Sequence, residues 1–353
     1  MSVKKYRFGM LSCGSEVSLW VVSNGKMSFT ASDYGCLITG IMLPGRGGQP
    51  EDIALGYSAL DSWVHNNKSY QGALIGRYAN RIANARFKLD GAEFKLDANY
   101  GSHSLHGGFH GYHQFMWNGE TLSCDLGEGV RFKRRSPDGE QGYPGNLDIE
   151  VDYLLNSKNE LILRYKTVCD KNTPVNLTQH VYFNLRGEGH PTVGAHRAKI
   201  YSSKYLDIGE SVMPTGRILD AKGTVFDFSS QRELGSHFGS PELEKMNGGY
   251  DCAFCFDPCA ETRLEALPVL AEIFEPETGR ALVCRSNKSV MQLYTGCNLN
   301  VENGKNGKKY SKFSGFCLET EKYTNAPNIE TFPSCILKAG ETEESLTVYG
   351  FSW

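Results

Sequence analysis

The sequence predicts an all-β protein, a large antiparallel β-sandwich with very few short helices. Three observations carry this. Dipeptides that favour hairpin turns recur along the chain: Asn24-Gly25, Asp90-Gly91, Asn118-Gly119, Asp138-Gly139, Asn303-Gly304 and Asn306-Gly307. Short alternating or apolar runs lie between them. Helical signals are scarce. Turn signals also continue at similar density from end to end, with no linker, low-complexity segment or repeat, so residues 1–353 are expected to form one domain.

The strand-like runs are residues 19–22, 87–89, 147–155, 161–168, 281–284, 290–294 and 346–351. Ser240-Pro241 ahead of Glu242, Leu243 and Glu244 supplies a cap and a first-turn proline for one short helix. A second is expected near residues 58–64.

Composition narrows the class of function. Hydrophobic residues make up 40% and charged ones 22%, which are globular values. A net charge of -3 leaves no basic footprint for nucleic acid. The one basic cluster, Arg131, Lys133, Arg134 and Arg135, reads as a solvated strand end. The first residues lack the apolar core of a signal peptide, and no run approaches a membrane span. The eleven cysteines are odd in number and scattered, several in apolar runs (Cys36, Cys169, Cys284, Cys335). That suits free thiols in a reducing cytosol, so a cytoplasmic location is expected and the Asn-X-Ser/Thr triplets at Asn67, Asn176 and Asn287 would carry no sugar.

Residues 176–185 are the centre of the functional reading. As a strand, they turn Leu177, Val181, Phe183 and Leu185 one way and Asn176, Thr178, His180, Tyr182 and Asn184 the other. The polar face holds no Lys, Arg, Asp or Glu. It reads as the floor of a groove for a neutral polar ligand, or as an exposed face that happens to hold a histidine. Arg77 and Arg81, four apart around Asn80, either grip hydroxyls or lie on the surface. His103, His106, His110 and His113 raise a zinc site, but the glycines at 101, 107, 108 and 111 argue against a helix, and no other ligand set completes a metal pattern. Ser104-Leu105-His106-Gly107-Gly108 reads as a tight loop presenting His106. Cys252 and Cys255 fall on opposite faces of a strand and read as core. Asp251 opens that run as a turn residue or a ligand contact. In residues 314–321, Cys317, Glu319 and Glu321 share one face. A carboxylate in such an apolar run is paired at a surface or is functional.

Taken together, these segments resemble a known family. Gly76-Arg77-x-Ala79-Asn80-Arg81-Ile82, Ser104-Leu105-His106-Gly107-Gly108, Asn176-Leu177-Thr178-x-His180-x-Tyr182-Phe183-Asn184-Leu185, Gly249-Tyr250-Asp251 and Gly315-Phe316-Cys317-Leu318-Glu319-Thr320 occur in this order. So do Ser136-Pro137-Asp138-Gly139-Glu140-x-Gly142-Tyr143-Pro144-Gly145 and Gln292-Leu293-Tyr294-Thr295-Gly296. From about residue 30 onward the chain is similar to the galactose mutarotase (aldose 1-epimerase) family. The resemblance implies a supersandwich with an open sugar groove and no cofactor or metal. It implies His180 as catalytic acid, Glu319 as catalytic base, and Asn80, Arg81, His106, Tyr182, Asp251 and Gln292 as sugar contacts. Arg77 matches a motif position without an implied contact.

That reaction exchanges the α and β anomers of a free aldose by ring opening, rotation about C1–C2 and reclosure. It needs only a base at the C1 hydroxyl and an acid at the ring oxygen. A free carboxylate is a weak base for a hydroxyl, so Glu319 is expected in a partly desolvated site that raises its pKa. The chain departs from the family pattern at His103 (usually Asn), at Cys252 (often His), in the loop near residues 298–306, and after Thr320, where Glu321 replaces the usual Gln. Expected partners are an aldose and, at most, a second copy in a weak homodimer. A hexose-6-phosphate epimerase and a non-catalytic sugar-binding relative are the competing readings. The first would need a cationic phosphate site, and the second would not need an ionisable pair.

Overall fold

A computed structural model describes residues 1–353. Three antiparallel sheets organise it. The N-terminal sheet is a five-stranded meander: Ser2–Met10, Glu16–Ser23, Ser28–Ser32, Ile38–Pro44 and Pro50–Asp52. The largest has nine strands. Asn118–Cys124, Gly127–Ser136, Leu147–Leu155 and Glu160–Cys169 come first, and Thr342–Ser352 joins that meander to Ala281–Ser286 and Val269–Phe274. Arg197–Ile200 and Arg232–Glu233 complete it. The third sheet runs Pro214–Asp220, Lys204–Ile208, Asp251–Cys255, Val290–Tyr294, Cys317–Glu321.

One core joins all three. The N-terminal sheet supplies Trp20, Phe29 and Ile41, the nine-stranded sheet Phe132, Tyr153 and Leu163, and the third sheet Phe254, Leu293 and Leu318. Strand alternation then leaves Asp251, Gln292, Tyr294, Glu319 and Glu321 on the opposite face of the third sheet. Register sets them side by side: Gln292 is directly opposite Glu319, and Asp251 is opposite Tyr294.

The expected strands at 147–155 and 290–294 form with those bounds. The expected helices appear as Leu60–Asn66 and a 3-10 helix at Pro241–Met246. Asn118-Gly119 is a correction: it lies within a strand, not in a turn. A Cβ at Gly119 would sit 3.0 Å from the Trp20 indole nitrogen, a tight contact. The basic cluster is also more engaged than a solvated strand end. Arg131 donates to Asp152 at 2.6 Å, and Arg134 forks onto Glu140 and covers the Phe115 ring. All eleven cysteines are unpaired, and Cys252 and Cys255 are buried in different hydrophobic clusters, as opposite faces require.

Candidate active site

The strand expected at 176–185 is much shorter, Thr178–His180, pairing with Ala73–Ile75. Its neighbours have backbone to satisfy elsewhere. Phe183 exchanges hydrogen bonds with Phe316, which ties this segment to the strand bearing Glu319. Two members of the expected polar floor prove to be brackets. Asn176 accepts from the Lys322 N–H at 2.7 Å and donates to the Ala79 carbonyl, and Asn184 donates to the Ser314 and His190 carbonyls. Gln179, on the nominally apolar face, binds Tyr153 and the Gly72 carbonyl. His180 and Tyr182 are what that floor presents to the groove.

The second wall is the loop carrying Ser104–Leu105, paired with Arg81–Ile82. It can lie this close because Gly107 has φ +90 and a Cβ there would fall 2.0 Å from the Gly76 carbonyl oxygen. The approach lets the Asn80 N–H donate to His106 Nδ1 at 3.2 Å. That assigns the proton of a neutral His106 to Nε2. The other three histidines of the cluster stay out of the groove. His103 accepts from the Asn84 N–H, His110 is exposed, and His113 is buried against Tyr70. The departure at His103 therefore does not alter the groove lining.

Arg77 points away from the groove. The residue is 2% exposed, and its guanidinium donates to the Pro144 and Gly145 carbonyls, Thr173 and Ser136. The Ser136–Gly145 motif is its cradle, which explains both motifs without a ligand.

All eight expected site residues line one cavity of about 320 Å³: Asn80, Arg81, His106, His180, Tyr182, Asp251, Gln292 and Glu319. This lies at the lower end of the range for small-molecule sites, ~300–1,000 Å³. A larger cavity of about 980 Å³, beside Tyr205, Phe226 and Lys245, contains none of them. His180 Nε2 and Glu319 Oε1 face each other at 3.6 Å. Arg81 donates to Asp251 at 3.1 Å and to Asn80 Oδ1 at 3.0 Å while covering the Tyr100 ring. Gln292 donates to Asp251 Oδ1 at 2.5 Å. Tyr182 stacks on His180 at 4.9 Å between centroids and spends its hydroxyl on the Ser69 carbonyl.

Burial dominates the electrostatics. It pushes Glu319 well above the carboxylate range, with Glu321 and Asp251 adding like charge and Arg81 opposing. Burial also pushes His180 down to about 4. The donor atoms of His106, His180 and Glu319 lie within 4.8 Å of one another, a set that could also hold a divalent cation.

Sequence reasoning missed Tyr70, Tyr100 and Tyr294. Tyr294 was reachable, since it shares a strand face with Gln292. Tyr70 sits in a loop with φ 57 and packs edge-on against His106 at 4.7 Å, which no periodicity marks. Asn298 confirms that the departing loop reaches the groove.

The groove thus holds a buried imidazole–carboxylate pair beside an antiparallel sheet. The family model for aldose 1-epimerases matches residues 18–350, and the chain belongs to that family. It is 38% identical to the galactose mutarotases of Rattus norvegicus and Homo sapiens, over 100% and 99% of this chain and 99% of each relative. It is 32% identical to the aldose 1-epimerase of Escherichia coli (strain K12), over 93% of both chains. The crystal structure of an aldose epimerase homologue from C. elegans matches with a TM-score of 0.82 at 25% identity, covering 94% of this chain and 97% of that one. Galactose 1-epimerase from Lactobacillus acidophilus NCFM, at 21% identity and a TM-score of 0.83 over 99% and 98% of the two chains, shares the fold.

Proposed function

We propose that this aldose 1-epimerase equilibrates the anomers of a free hexose such as galactose or glucose, with His180 as acid and Glu319 as base. The observation that carries the assignment is their 3.6 Å approach inside the cavity lined by the six polar contacts. Glu319 takes the C1 hydroxyl proton while His180 Nε2 protonates the ring oxygen. The ring opens, C1–C2 rotates, and closure from the other face reverses both transfers.

Proton placement has a consequence for the barrier. Before ring opening the pair must be His180⁺ and Glu319⁻, and after it both are neutral. Burial favours the neutral pair, because it depresses His180 and raises Glu319. The surroundings therefore favour the proton distribution of the open-chain aldehyde over that of the bound ring. The Cys317 thiol, held protonated by burial, lies 3.4 Å from His180 Nδ1. Nδ1 keeps its hydrogen when Nε2 gives up its proton, and the Cys317 sulfur accepts from it. Arg81 and His106 Nε2–H donate to the sugar oxygens, and Asp251 accepts from a hydroxyl.

A free sugar fits better than a sugar phosphate. The groove's cations are Arg81, already engaged with Asp251, and the exposed Lys68. A dianion wants several donors in fork geometry. No helix is long and apolar enough to cross a membrane. With eleven free thiols, a cytosolic enzyme acting as a monomer or weak homodimer completes the proposal.

Polarimetry of freshly dissolved α-D-galactose, α-D-glucose and α-D-glucose 6-phosphate tests it. The protein should speed equilibration of the free sugars more than that of the phosphate, with and without a chelator. No acceleration of any aldose over buffer would refute the substrate class. Loss of activity on chelation would give the His106, His180 and Glu319 set a metal.

A further inference from the structure

Glu321 has no part in the acid/base scheme, yet it is the most enclosed carboxylate near it. It is 0% exposed, two residues after Glu319 on the same strand face, at a separation of roughly 7 Å along the strand. Its Oε1 accepts from Asn80 Nδ2 at 2.9 Å, and its Oε2 has no hydrogen-bond partner. It makes no salt bridge.

We propose that Glu321 is a positioning residue for the reaction: its carboxylate oxygen fixes the Asn80 side-chain amide in the groove wall, so that Asn80 Oδ1 and His106 are held toward the ligand. The inference rests on this groove being the sugar site.

The orientation follows from counting hydrogen bonds. One Asn80 Nδ2 hydrogen goes to Glu321 and the other to Gln292 Oε1 at 3.4 Å, while Asn80 Oδ1 accepts from Arg81 at 3.0 Å. Both amide donors are used, and one Oδ1 lone pair remains for a sugar hydroxyl. Arg81 and Gln292 both bind Asp251, so Asn80, Arg81, Asp251 and Gln292 close a ring of hydrogen bonds with Glu321 attached at Asn80. The Asn80 backbone also positions His106. Glu321 thus acts on two groove walls without touching the ligand.

A Gln at 321 would keep an acceptor for Asn80, and a Leu would remove it.

The test is kcat and KM for galactose in wild type, E321Q and E321L. E321L strips Asn80 of its acceptor and should raise KM about tenfold, while E321Q, which keeps an acceptor, should restore KM to within about twofold of wild type. An unchanged KM in E321L, or a KM in E321Q raised as far as in E321L, would overturn the proposal. If the wild-type protein accelerates no aldose, the proposed function fails instead. If the variants do not fold, NMR of the wild-type protein decides: slow hydrogen exchange at the Asn80 side-chain amide supports the proposal, and free exchange overturns it.

Discussion

Arg81 shows how one side chain can serve geometry and electrostatics together. Its planar fork reaches Asn80 and Asp251 at once, and its flat face lies over Tyr100, 5.1 Å from the ring centroid. A lysine ammonium cannot do all three. R81K is expected to lower kcat/KM at least about tenfold, ~1.4 kcal/mol, with little change in thermal midpoint; steady-state polarimetry beside a melting curve checks this. At this scale the sequence was most legible where a motif named the residue. His180, Glu319 and the six contacts all reach the cavity. It was least legible where contact depends on a loop's path. Tyr70 enters through a left-handed turn that no spacing encodes. Glu321 was placed on the right strand face, but a surface salt bridge was among its readings, and alternation does not report depth.

Arg77 belongs to the scale of elements. It joins Arg77-Tyr78-Ala79-Asn80-Arg81 to the Ser136–Gly145 loop through donors to four backbone or hydroxyl partners. A lysine there would leave several buried carbonyls unpaired at about 1–3 kcal/mol each. R77K is expected to cost ~3 kcal/mol, roughly 5 °C in Tm, while the folded fraction keeps its KM within a few-fold. Scanning calorimetry with KM measurement separates this from a ligand-contact role, which would reverse the pattern. Elements were readable where one strand face is core and the other is not, as in Leu147–Leu155 and Val290–Tyr294. The reading failed for residues 176–185, because side chains at Asn176, Gln179 and Asn184 brace neighbouring backbone that a longer ladder would have satisfied. Gly119 misled because a glycine packed tightly within a strand looks in sequence like one at a turn.

Across the whole molecule, buried neutral histidines link stability to pH. Burial pushes His113, His180 and His196 down to about 4 and His106 well below its ordinary value. Each is depressed in the folded state, so its contribution is fully present above the unfolded value near 6.5 and is lost as pH falls toward 4. At pH 5 each costs about 1–2 kcal/mol. Urea unfolding is expected to be cooperative, consistent with one core spanning three sheets, and stability is expected to fall between pH 6.5 and 4.5, with the raised Glu319 and Glu321 offsetting part of the histidine loss. His196 accepts from the Leu185 N–H and lies outside the groove lining, so H196Q should flatten that slope without altering galactose KM. A stability constant over that range would contradict the burial of these groups.

The central claim is that His180 and Glu319 exchange protons with the sugar, and their kcat values test it most directly. Saturation-transfer NMR between α- and β-galactose, at saturating sugar, reads catalysis without a coupled enzyme. E319Q and H180N should each reduce kcat by about 10²–10⁴-fold while galactose still binds with an affinity within about tenfold of wild type. Full kcat in E319Q, or a loss confined to binding, would contradict the assignment.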